Sequence, residues 1–148
     1  MSTSKEQVMT KQDDFSGVWR SAYRYTSSDR KGEYENIHYV TMHRMGNQLV
    51  VESLSDADDA YMLARLSLDG RVATGSWQDQ MAQHGFYKGT LYHGAAQLII
   101  DDDGNALRGK WVGFGKNLQI KTGDWEIVRV EGEVPETHAF VHKVDEDS

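Results

Sequence analysis

Tyr92-His93, within the glycine-rich run GFYKGTLYHG at 85–94, is the pair in this chain best suited to polar chemistry near neutral pH. An imidazole changes charge in that range, and a neighbouring phenol both donates and accepts hydrogen bonds. A second combination is aromatic and cationic: Tyr23, Arg24 and Tyr25 in WRSAYRYTS, and Lys110 with Trp111 in RGKWVGFG. Ring faces stack a planar ligand, and a nearby cation holds a carboxylate or phosphate. Trp77 in ATGSWQD and Tyr87 complete the candidate ligand-binding set: Tyr23, Arg24, Tyr25, Trp77, Tyr87, Tyr92, His93, Lys110 and Trp111. Taken singly, each aromatic also fits as core filler, and His93 fits as a hydrogen-bonded structural residue. Lys110 reaches a barrel mouth only if a bulge at a neighbouring glycine reverses the strand's phase; otherwise Trp111 points inward and Lys110 outward.

No catalytic or metal set stands out. Gly-x-Ser-x-Gly elbows, P-loops and dinucleotide fingerprints are absent, and GKWVGFGKN lacks the strand-to-helix setting of a phosphate cradle. The histidines at 38, 43, 84, 93, 138 and 142 show no His-x-His on one strand face, and the chain has no cysteine, so neither a metal nor haem is expected. An acid–base pair of His93 with Asp79 is conceivable, although spacing alone does not bring the two together.

These residues need elements to hold them, and the elements read as strands. All four tryptophans, Trp19, Trp77, Trp111 and Trp125, lie in glycine-flanked runs of period two. Trp19, Ser21, Tyr23 and Tyr25 share one face, Arg20 and Arg24 the other. Tight turns are signalled at MGN 45–47, LDGR 68–71 and DDDGN 101–105. The pattern gives eight to ten strands and no convincing amphipathic helix; the one proline, Pro135, lies past the last of them. Short connections make sequence neighbours sheet neighbours, and closure removes the exposed edges of so large a sheet. The expected fold is all-β: a closed antiparallel up-and-down β-barrel of 8–10 strands, with a two-sheet sandwich as the other architecture.

Three segments follow. Residues 1–14 are polar and aperiodic and read as disordered, 15–130 form the barrel, and 131–148 form an acidic tail. Within that tail THAFVHKV fits a short docked strand, a helix turn or disorder. Of the net charge of −7, the tail carries −5 and the barrel segment −1, so bulk basicity makes no case for binding a nucleic-acid duplex. The start lacks the apolar stretch of a signal peptide and no run matches a membrane span, which gives cytoplasmic as the expected location and no membrane partner.

Blocks spread from 17 to 130 resemble a domain of bacterial, chiefly actinobacterial, helix-turn-helix transcriptional regulators. They are WRSAYRYTS at 19–27 with Arg30, HYVTMHRMGNQLV at 38–50, ATGSWQDQ at 73–80, GFYKGTLYHGAAQL at 85–98 and RGKWVGFGKNLQIKTGDWEI at 108–127. The resemblance implies a lipocalin-like, calycin-type barrel with a sensory role. It also implies that Arg129 on the last strand stacks on Trp19 of the first and seals the base. Only 14 residues precede Phe15, with no helix-turn-helix, so DNA binding is not expected to carry over.

The function expected from these features is non-enzymatic small-molecule binding in an aromatic-lined interior, the ligand being nucleotide-like or another planar anionic signal. No cofactor is implied; a protein partner is the remaining possibility. The alternatives are a small-barrel enzyme using His93 and Tyr92, or a solid barrel acting as a protein–protein interaction module.

Overall fold

The computed structural model describes residues 15–26, 32–54, 61–80, 91–114, 120–134 and 139–143. These form nine strands: β1 (Gly17–Thr26), β2 (Glu33–Met45), β3 (Gln48–Ser53), β4 (Tyr61–Asp69), β5 (Val72–Gln80), β6 (Leu91–Ile100), β7 (Ala106–Phe114), β8 (Ile120–Arg129) and β9 (Ala139–Lys143). Every pair is antiparallel, each of β1 to β8 pairs with its sequence neighbour, and β1 pairs with β8. The result is the expected closed eight-stranded up-and-down barrel, and no helix occurs among the described residues.

Period-two alternation sorts the chain. In β4 the buried residues are Met62, Ala64 and Leu66, while Arg65, Ser67 and Asp69 face solvent. The same phase runs across the paired strands, because directly opposed residues lie on one side of a sheet. Thus Trp19 faces Val40, Ala64 faces Trp77 and Leu98 faces Gly109. The resulting core joins Trp19, Val40, Met42, Leu49, Val51, Leu66, Leu98, Leu107 and Ile127.

The two ends differ. At one, β2–β3 and β4–β5 are joined by two-residue turns, Gly46-Asn47 and Gly70-Arg71, with Met45 opposite Gln48 and Asp69 opposite Val72. Gly46 and Gly70 have φ of 63° and 61°, the left-handed region that glycine enters without a Cβ penalty. Trp19 seals this end: it is fully buried, its indole donates to the Phe15 carbonyl at 2.9 Å, and the Arg129 guanidinium lies 4.4 Å from its ring centroid. At the opposite end the connections 27–31, 55–60, 81–90 and 115–119 lie outside the described residues, as do residues 1–14.

β9 adds a feature to the barrel. The sequence of THAFVHKV at 137–144 favours disorder over a docked strand or helix turn; instead, Ala139–Lys143 pairs as a strand with Tyr34–His38 of β2. β3 pairs only with Val40–Met45, so β9 occupies the part of the β2 edge that β3 does not reach.

Candidate functional site

Near the end remote from Trp19, four aromatic rings converge. Tyr23 meets Trp111 edge-on at 6.0 Å between ring centroids and Trp125 at 6.4 Å, and Trp77 meets Trp111 at 5.8 Å with planes at 85°. Such edge-to-face contacts suit the quadrupoles of the rings. The packing has a simple origin in the register: Trp77 lies opposite Gly94, Trp111 opposite Gly123 and Trp125 opposite Gly109. An indole laid flat on the inner wall needs the cross-strand position empty, and glycine leaves it so. A Cβ on Gly123 would come within 2.8 Å of Nε1 of Trp111, and one on Gly113 within 2.7 Å of Cζ2 of Trp77.

The tryptophans spend their polar atoms on the wall. Trp77 donates Nε1–H to the Ala95 carbonyl at 3.0 Å, Trp111 to the Arg24 carbonyl at 3.0 Å, and Trp125 to Ser21 Oγ at 2.8 Å. What they offer to the interior is therefore ring face rather than hydrogen-bond donors.

The polar chemistry comes from other residues. The Asp79 side chain is 1 % exposed, and Tyr23 donates its hydroxyl hydrogen to Oδ2 of Asp79. Asn36 donates Nδ2–H to the Tyr23 hydroxyl oxygen at 2.9 Å. The His38 side chain, 3 % exposed, stacks on Tyr23 with planes at 13° and holds Nε2 at 3.9 Å from Asp79 Oδ2. That is beyond hydrogen-bonding distance. Both ring nitrogens of His38 and Oδ1 of Asp79 have no hydrogen-bond partner. Buried polar atoms are paired as a rule, and an unpaired one costs about 1–3 kcal/mol, so three in one cluster mark an unusual place.

The electrostatics follow from burial. Asp79 has its pKa raised above the ordinary carboxylate value, chiefly because desolvation disfavours the charge; His38 and the bond from Tyr23 oppose the shift. Tyr23 is pushed well above the usual phenol value by burial first and by Asp79 second. Tyr23, Met62, Trp77, Asp79, Trp111 and Trp125 line a small hollow beside this cluster, with about 10 Å³ open to the centre of a water-sized sphere. That is roughly the room for one water-sized group.

The sequence-derived candidates separate into two groups. Tyr23, Trp77 and Trp111 come together around the hollow. Tyr25 stands one step nearer the end, its ring 6.3 Å from Tyr23 and stacked on Tyr34 at 5.9 Å. Tyr92 lies directly opposite Asp79 in the β5–β6 register, in the inward phase. The others turn away. His93 is exposed on the outer face opposite Gln78, on the other side of the sheet from Tyr92 and Asp79.

Arg24 is also outside, 3.6 Å from Glu35, and Lys110 is exposed and donates to Asp124 at 2.5 Å. The phase of β7 runs without a bulge through Gly109, Lys110 and Trp111, so nothing swings Lys110 to the mouth. Lys121, opposite Gly113, is in inward register at this end and donates Nζ–H to the Thr26 carbonyl at 2.8 Å. Tyr87 and most of the run 85–94 lie outside the described residues.

Asp79, His38 and Asn36 are the residues that sequence reasoning missed as a cluster. One signal was present: Asp79 follows Trp77 by two, so an inward Trp77 requires an inward Asp79. In β2 both phases carry apolar residues, Val40 and Met42 on one and Ile37 and Tyr39 on the other, and spacing did not decide which was inside.

No protein-family model, curated protein or solved structure matches this chain.

Proposed function

We propose that the protein is a non-enzymatic small-molecule-binding module of lipocalin-like type, with the sensory role implied by its resemblance to the C-terminal domain of bacterial helix-turn-helix regulators. One observation carries the reading: Asp79, whose buried Oδ1 has no hydrogen-bond partner, lines an aromatic hollow inside the barrel. A ligand with a small polar head satisfies that oxygen while its body lies against the indole and phenol rings. The hollow admits only one water-sized group as it stands, so the head enters and the rest of the molecule extends toward the remote end. No described helix is long and apolar enough to cross a membrane, and a cytoplasmic site of action is part of the proposal.

The anionic ligand expected from sequence has weaker support, since Arg24 and Lys110 face outward and are ion-paired. Native mass spectrometry of freshly purified protein, followed by metabolite fractions screened through tryptophan emission, tests the binding function. The expected result is a small non-covalent adduct and an emission change that Trp111→Phe reduces. A bare mass together with emission indifferent to every fraction would sink the reading.

A further inference from the structure

Charge is the property of the hollow that says most about its occupant. Asp79 is one of its lining residues; its Oδ1 has no hydrogen-bond partner, while Oδ2 is held by Tyr23. Among the described residues at this end, the basic groups in inward register are His38 and Lys121. Lys121 is engaged with the Thr26 carbonyl, and His38 stops 3.9 Å short of the carboxylate. A buried carboxylate without a hydrogen-bonded cation is costly, and a ligand cation removes that cost. The remaining lining residues are Trp77, Trp111, Trp125, Tyr23 and Met62. Aromatic faces attract cations and give nothing to an anion.

We infer that the site takes a primary ammonium group, carried by an amine whose apolar body follows the aromatic wall. The inference rests on the reading of the barrel as a binding module and names the ligand class. The geometry suits –NH₃⁺ in three respects. It is about the size of a water molecule, which is the room the hollow provides. It has three donors and no acceptor, and Asp79, which lines the hollow, keeps Oδ1 without a hydrogen-bond donor. The ring faces supply the rest of its surroundings by cation–π attraction. A carboxylate or phosphate head would instead meet Asp79 with like charge.

Three probes of matched size separate the classes: 2-phenylethylamine, 2-phenylethanol and phenylacetate, titrated by calorimetry and tryptophan emission. The amine is expected to bind the wild-type protein about tenfold or more tighter than the alcohol, with phenylacetate weakest. Asp79→Asn, which keeps the shape and an acceptor for Tyr23, is expected to bring the amine down to the alcohol's affinity and leave the alcohol unchanged. The wild-type ranking stands even if the variant does not fold. Equal affinity of amine and alcohol, tighter binding of phenylacetate, or an amine affinity indifferent to Asp79→Asn would each overturn the ammonium. Binding of the alcohol or acid with the amine silent would overturn it while leaving the binding function intact. Silence of all three, as for a hollow that holds only a water, also overturns it. The native mass spectrum then decides the broader reading.

Discussion

At the scale of single residues, Asp79 is a liability to the fold: a buried carboxyl with one oxygen lacking a hydrogen-bond partner. A free carboxyl in the unfolded chain titrates near about 3.9. In the folded protein its value lies higher, because burial outweighs the favourable effects of His38 and Tyr23. Between the two values the native state retains a proton that the unfolded state has lost, so stability decreases as pH rises through that window. Tyr23 acts in the same direction above about pH 10, where the unfolded phenol ionises first. Asp79→Asn has no such group to titrate. Melting temperatures of wild type and variant, measured between about pH 3 and about pH 8, are therefore expected to diverge. The wild type loses ground to Asp79→Asn from about pH 4 upward, and the gap levels off once Asp79 is fully ionised. Parallel curves, or a wild type that gains on the variant as pH rises, would show that the carboxylate is well solvated or well paired.

At the scale of elements, the wall is built from tryptophans laid over cross-strand glycines. Gly94 in β6 faces Trp77 on one side and Gly113 on the other, and a Cβ there would sit 1.9 Å from the Val112 carbonyl oxygen. That obstacle is backbone, which cannot rotate away as a side chain can. Gly94→Ala is expected to cost about 3 kcal/mol, at the upper end for overpacking, and to be visible in urea denaturation as a lower midpoint with an unchanged slope. A shift below about 1 kcal/mol would mean that β6 and β7 separate freely at this point. The pattern of tryptophan beside glycine was legible from sequence, and with it the strands and the two-residue turns at Gly46 and Gly70, while the stacking of Arg129 on Trp19 was expected only from the resemblance. The polar cluster was less legible, because it joins β1, β2 and β5 across distances that no local pattern encodes: Tyr23 and Asp79 are 56 positions apart. His93, Arg24 and Lys110 lie on the outer phase, as the alternation already indicated for Arg24 and for Lys110 in a strand without a bulge.

At the scale of the whole molecule, closure of β1 on β8 leaves one part of the sheet uncovered. β2 runs for 13 residues while β3 has 6 and pairs only from Val40 onward. Without β9, the stretch Tyr34–His38 would carry unpaired backbone donors and acceptors on its outer edge, a template for another chain. This stretch also holds Asn36 and His38, so pairing along β9 and the geometry of the polar cluster are joined through one strand. Removing residues 131–148 takes away β9 and lowers the magnitude of the net charge, since that segment carries −5 of the chain's net −7. Both changes favour association, the first by opening an edge and the second by weakening mutual repulsion. The truncated chain is expected to remain β-rich by circular dichroism but to elute as larger species in light-scattering chromatography. The complete chain should keep one mass over the same concentrations. Added salt separates the two causes: repulsion between molecules is screened within about 10 Å at 0.1 M, whereas strand pairing is not. If salt drives the complete chain to the same species, charge was the guard; if only the truncated chain assembles, the edge was. A truncated chain that keeps the mass and melting temperature of a lone barrel would show that β9 protects nothing, and that the β2 edge is safe without it.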